Sequence, residues 1–138
     1  MIKEGIESLS ADRRDQILSF LEVVKNVPAF NSIRFIVLYG SVPFSLDDAG
    51  SDIDIAISSD LGDLESEQLR MHLLGRVPNF FDIQIFEHLP LYVKKDVFSG
   101  MVLYIRDDDE IYDVAERTYR EYDLFRPHLL DYIGERAL

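Results

Sequence analysis

The chain has no cysteine at all, which removes disulfides, thiolate nucleophiles and cysteine-based zinc sites from consideration. It has few basic residues, 14 Lys and Arg against 26 Asp and Glu, for a net charge of −12. That balance weighs against general nucleic-acid binding, because a phosphate backbone has to be met by clustered Lys and Arg. No apolar run approaches the roughly 20 residues of a membrane span. The first residues, "MIKEGIESLSADRRDQ", lack an apolar signal core. No repeat, low-complexity tract or Pro/Gly/Ser-rich linker interrupts the chain. These absences lead to the expectation of a cytoplasmic protein without a membrane segment. The acidity suits solubility, a basic protein partner, or a site that concentrates metal cations.

Enough apolar residues remain to build a core. Hydrophobic residues make up 47% of 138 positions, sufficient for one domain and too many for a disordered chain. The expectation is a single domain over 1–138, with its core in 30–107 and a helical segment over 108–138. "SADRRDQILSFLEVVKNVP" predicts a helix capped by Ser10, with Ile17, Leu21 and Val24 on one stripe and Pro28 beyond its end. "IRFIVLYG" is a continuous apolar run that predicts a buried strand. "SDIDIAIS" alternates, placing Ile53, Ile55 and Ile57 on one face and Asp52, Asp54 and Ala56 on the other.

The remaining segments follow the same logic. "LESEQLRMHLLGRVP" predicts a helix ending at Gly75. "FFDIQIFE" predicts a third strand, with Asp82, Gln84 and Phe86 opposite Phe81, Ile83 and Ile85. "PLYVKKDVFSG" predicts a helix entered at Pro90 and stopped by Gly100, and "MVLYI" a short strand. From Asp107 a helical stripe runs through Ile111, Ala115, Tyr119, Tyr122, Phe125, Leu129 and Ile133, kinked or split by Pro127. The order is helix, strand, strand, helix, strand, helix, short strand, helix. It implies an α/β or α+β domain with a small mixed β-sheet flanked by helices.

The chemistry concentrates in "LYGSVPFSLDDAGSDIDIAI". Asp52 and Asp54 project from one face of a strand whose other face is isoleucine, so the strand cannot rotate to separate them without burying charge. Two carboxylates this close repel, and one must take a proton unless a cation sits between them. A hard, oxygen-seeking ion such as Mg²⁺ meets that need. If the strand bearing Asp82 lies alongside, a third carboxylate joins, enough to hold two ions of the kind that clamp attacking and leaving oxygens in phosphoryl or nucleotidyl transfer. A carboxylate near the acceptor can also take its proton. Upstream, Gly40 has no side chain to keep a phosphate from the backbone, and Ser41 offers a hydroxyl and an N–H. A helix starting at "SVPFSL" would turn its N-terminus toward phosphates, and Ser51 could contact the same region.

Other chemistry-bearing residues read more plainly. His72, His88 and His128 lack the spacing of a zinc site. The acidic "RDDDEIYD" reads as a helix N-terminus, where carboxylates cap N–H groups and meet the positive end of the dipole. Tyr112, Tyr119, Tyr122 and Tyr132 mostly follow the helical stripe, as core or partner packing.

The pattern Gly40-Ser41, a short connection, Asp52-Ile53-Asp54 and then Asp82 resembles the signature of the DNA polymerase beta-like nucleotidyltransferase superfamily, over about residues 33–107. The short chain is most similar to its minimal nucleotidyltransferases, the MNT proteins. The resemblance implies a palm-like mixed-sheet fold and Mg²⁺-dependent transfer of NMP from an NTP, usually ATP. It also implies a HEPN-type protein as partner and an antitoxin role, with some members adding AMP to a tyrosine of that partner. Carried over residue by residue, Gly40 and Ser41 match the phosphate-binding pair, Asp52 and Asp54 the metal-binding pair, and Asp82 the third acidic residue. The chain departs from the family at "GSVPFS", where Pro43, Phe44 and Ser45 stand in place of Ala, Arg and Gly; losing the Arg removes a cation near the triphosphate. Two other functions fit parts of the pattern: a non-catalytic acidic protein that neutralises a partner, and a nucleotidyltransferase acting on a small hydroxylated molecule.

Overall fold

The computed structural model describes residues 4–40 and 52–137, with side chains placed over 5–40 and 52–124. After a 3₁₀ turn at Glu4–Ser8 come α1 (Ala11–Lys25), a 3₁₀ turn at Pro28–Ser32, β1 (Ile33–Tyr39), β2 (Ile53–Ser59), α2 (Asp63–Leu74), β3 (Phe81–Ile85), a 3₁₀ turn at Phe86–His88, α3 (Leu91–Val97), β4 (Met101–Ile105) and α4 (Asp108–Ala137). This is the element order expected from the sequence, and it builds the expected α+β mixed sheet. The four strands lie in the order β3-β2-β1-β4. β1 is antiparallel to both its neighbours, while β2 and β3 run parallel.

The sheet is buried on both faces, which is why β1 reads as an unbroken apolar run rather than an alternating one. On one face, Ile17, Phe20, Leu21 and Val24 of α1 and Leu69 and Leu73 of α2 pack on Ile53, Ile55, Ile57, Phe81 and Ile83. The rings of Phe20 and Phe81 stack 5.0 Å apart. On the other face, Val97 of α3 and Ile111 of α4 close over Phe35, Val37 and Ala56. The Ser10 hydroxyl accepts from the Arg13 N–H, capping α1 as its sequence predicts. At the start of α4 the Asp107 carboxylate accepts from the Asp109 N–H, so the acidic run is a helix entry.

Two local expectations are corrected. Pro90 stands one position before α3, as its cap, rather than inside it. Helix α4 is continuous through Pro127, neither ended nor split there, because a helix can absorb one missing N–H and continue. Helix α2 does end at Gly75, as its sequence predicts, with that glycine in an ordinary right-handed conformation at φ −76°. The possible helix at "SVPFSL" and the divergent "VPFS" lie outside the described residues.

Strand β3 forms one edge of the sheet and is guarded there. The Arg70 guanidinium donates to the Ile83 carbonyl at 2.7 Å, is held by Glu67 at 3.3 Å, and Glu67 in turn meets His88 at 2.9 Å. An occupied edge carbonyl is a poor template for another strand. A second network, near the start of β1 and the end of β2, has no forewarning in local sequence. Arg34 donates to the Ser59 carbonyl at 2.7 Å and pairs with Glu87, whose carboxylate accepts from the Ser58 hydroxyl and the Ser59 N–H. Arg106 joins the Asn31 carbonyl, Asp60 and Glu110.

Two glycines predict opposite outcomes. A Cβ at Gly100 would stand 2.3 Å from the Leu38 carbonyl oxygen, so the turn between α3 and β4 approaches β1 too closely for any side chain. Gly100→Ala is expected to destabilise the fold by about 1–3 kcal/mol through overpacking. A Cβ at Gly75 meets nothing closer than 3.6 Å, so Gly75→Ala is expected to stabilise by about 0.4–1 kcal/mol. Urea unfolding midpoints of the two variants check both signs.

Candidate functional site

The alternation of β2 sends Asp54 to the face opposite Ile53 and Ile55, the face that Ala56 also occupies. Parallel pairing then sets Asp54 directly opposite Asp82, and antiparallel pairing on the other side sets it opposite Tyr39. Residues in register across a sheet share a face. Tyr39, Asp54 and Asp82 therefore form a row across β1, β2 and β3. The Asp54 and Asp82 carboxyl groups share a hydrogen bond, and the Gln84 amide donates to Asp82 at 2.9 Å.

Gly40 closes the row at the end of β1. Its φ is +77°, in the left-handed region where an added Cβ is costly. A Cβ there would lie 2.3 Å from Oδ2 of Asp54, so the carboxylate rests on the bare backbone of the glycine. The sequence suggests glycine here so that a phosphate can approach the backbone. The structure adds that the neighbouring carboxylate needs the same space.

Asp52 stands just before β2 and is exposed, whereas Asp54 is half-buried. The closest carboxylate pair is therefore Asp54 with Asp82, not Asp52 with Asp54. Same-face neighbours along a strand are about 6.6 Å apart, whereas partners across adjacent strands are only about 4.8 Å apart. Of the remaining expected residues, Ser41 and Ser51 lie outside the described residues. Sequence reasoning missed Tyr39 as a neighbour of the carboxylates and Gln84 as the group that orients Asp82. Gln84 had a signal, its place on the Asp82 face; Tyr39 depends on the β1–β2 register, which no local pattern fixes.

Electrostatics follow from the crowding. Burial, then the charge and hydrogen bond of Asp82, then the charge of Asp52, push Asp54 up to about 6. Burial and the same two carboxylates, Asp54 and Asp82, push the Tyr39 phenol up to about 12, so it stays protonated at neutral pH. Among the described residues no group of three or more His, Asp or Glu is gathered closely enough to hold a metal ion. The pair of Asp54 and Asp82 nonetheless fits a hard cation: its donors are all oxygen, and the crowding that pushes Asp54 up is what a cation beside both would offset. Exposed Asp52 stands at the mouth of the pair.

The sign of the pH dependence is fixed by the raised value. The folded state binds the Asp54 proton more tightly than the unfolded chain, whose value is near 3.8. The resulting cost to stability is complete above about pH 6 and disappears as pH falls toward 4. Metal-free protein should therefore gain stability from this group between pH 6 and 4. Asp54→Asn should remove that gain and stabilise the metal-free protein at pH 8 by on the order of 1 kcal/mol, allowing for solvent screening. Chemical denaturation across pH in the presence of a chelator checks this. Gly40→Ala should displace Asp54, with about a 10²-fold loss of any activity that depends on its placement, read from initial rates.

Comparison with known proteins follows this geometry. Residues 22–109 match the family model described as polymerase beta, nucleotidyltransferase. The protein adenylyltransferase homologue MJ1547 of Methanocaldococcus jannaschii is 31% identical over 91 residues, covering 66% of this chain and 68% of that protein. In a toxin–antitoxin structure with AMP-PNP, one chain superposes with a TM-score of 0.69 at 20% identity, covering 90% of this chain and 98% of its own length. In a complex of a tri-AMPylated Shewanella oneidensis HEPN toxin with MNT antitoxin, one chain gives 0.65 at 19% identity, with 89% and 99% covered. At that identity the likeness carries the fold. The family match spans most of the chain and contains Gly40, Asp52, Asp54 and Asp82, so the chain belongs to the polymerase beta nucleotidyltransferase family.

Proposed function

We propose that this chain transfers a nucleoside monophosphate, AMP from ATP, to a hydroxyl of a HEPN-type partner protein, and that it acts in that pair as the antitoxin. The observation that carries the proposal is the in-register pair of Asp54 and Asp82, with Asp54 lying against the bare backbone of Gly40. The M. jannaschii relative named for protein adenylyltransferase activity and the toxin–antitoxin structures support the acceptor class.

In this reading Asp54 and Asp82, with Asp52 beside them as a further oxygen donor, would hold the Mg²⁺ ions, expected as two, whose charge would offset that of the carboxylates and the triphosphate. Gly40 admits the triphosphate to the backbone beside Asp54, and Ser41 and Ser51 bind its phosphates. Asp82, oriented by Gln84, receives the proton of the acceptor hydroxyl. The acceptor oxygen then bonds to the α-phosphorus, the bond to the bridging oxygen breaks, and pyrophosphate leaves. Among the described residues, α3 and α4 cover Phe35, Val37 and Ala56 on the sheet face that also bears the carboxylates.

The test is to incubate the chain with α-labelled ATP, Mg²⁺ and the protein encoded by the adjacent reading frame, expected to be of HEPN type. Label should pass to that protein, and Asp54→Asn or Asp82→Asn should reduce the rate by about 10²-fold or more. Transfer undiminished in both variants would contradict the proposal.

A further inference from the structure

Helices α3 and α4 cover the same sheet face that bears the carboxylates, since Val97 and Ile111 pack with Ala56, two residues from Asp54 on its side of β2. The end of α3 leads directly to the site. A Cβ on Gly100 would stand 3.1 Å from Cα of Tyr39, the residue paired with Asp54. Two residues earlier, the Phe98 ring meets Tyr119 of α4 with centroids 6.3 Å apart. The seam between the two helices thus begins beside the carboxylate row.

The exposed side of that seam has a distinct composition. Tyr112, Glu116, Tyr119 and Asp123 recur at i, i+4, i+7 and i+11, which places them on one stripe of α4. All four are exposed, Tyr112 at 71% and Tyr119 at 40%. Between residues 108 and 124 the helix carries seven carboxylates and two arginines. The seam already holds one cation on an aromatic face, the Lys95 ammonium 4.9 Å from the centre of the Tyr122 ring. Tyrosines interleaved with carboxylates suit Arg and Lys side chains, whose apolar stems pack on rings while their charges pair. A second copy of this chain would bring a like-charged stripe against this one, and nucleic acid would be repelled.

We propose that the α3–α4 seam is the surface on which the protein acceptor docks, and that the acceptor meets it with a basic face. This rests on the reading that the acceptor is a protein. Docking there sets the acceptor beside Tyr39 and the carboxylate row, so its hydroxyl needs to extend only past the α3–β4 turn.

The test uses Glu116→Lys/Asp123→Lys, with Asp15→Lys/Glu22→Lys as the control. The control changes net charge equally on exposed positions of α1, which packs on the opposite sheet face. Steady-state AMP transfer to the HEPN-type protein is measured at saturating ATP and Mg²⁺. The seam variant should raise KM for the protein acceptor by about tenfold with kcat within twofold, and the control should leave both unchanged. Tyr119→Ala should also raise that KM, with ATP affinity intact. An unchanged KM in the seam variant, or an equal rise in the control, overturns the docking surface while leaving the activity standing. Failure of the unmodified chain to label any protein overturns the protein-acceptor reading and the surface with it.

Discussion

The structure turns on one crowded contact, the carboxyl groups of Asp54 and Asp82 held in register across two parallel strands. The other side of both strands is committed to the core: Ile53, Ile55, Phe81 and Ile83 are all buried against α1 and α2. Neither strand can shift by one residue to separate the carboxylates, because the shift would expose its isoleucines and bury charge. Gly40 leaves room for the Asp54 carboxylate where any side chain would collide with it. The hydrophobic core therefore enforces an electrostatic conflict that the protein alone resolves only by retaining a proton.

That conflict links fold to function. A proton is a poor long-term solution near neutral pH for a group pushed up to about 6. A divalent ion held by the two carboxylates would offset the repulsion and supply a charge that a triphosphate seeks. Above pH 6, where the proton is lost, binding an ion there would relieve the repulsion and so would couple stability to ligand binding. The guarded β3 edge and the ion network around Arg34, Glu87, Arg106 and Glu110 tie the sheet to α2, to the turn after β3 and to the start of α4.

Much of this was legible in the sequence. Period-two alternation in "SDIDIAIS" and "FFDIQIFE" gives the strands, their faces and the side on which every aspartate stands, and helical stripes give the four helices. What alternation cannot give is distance between strands. It marked Asp52 and Asp54 as neighbours because they are adjacent on one strand, whereas pairing made Asp82 the closer partner of Asp54. Tyr39 stayed hidden for the same reason, since its place beside Asp54 depends on a register set across the connection 41–51. The pairs Arg34–Glu87 and Arg106–Asn31 join residues 53 and 75 positions apart, a separation at which a single sequence carries no local signal. Pro127 was read by its intrinsic cost, which the long α4 absorbs.

In the working protein the Asp54–Asp82 pair calls for a divalent cation in place of a proton. The most direct measurement is an NMR titration of the Asp54 side-chain carboxyl carbon, with and without Mg²⁺ and a non-hydrolysable ATP analogue. The expected midpoint is near 6 in the metal-free protein, falling below the ordinary aspartate range when the ion and nucleotide are added. A midpoint that stays near 6 in their presence would contradict it.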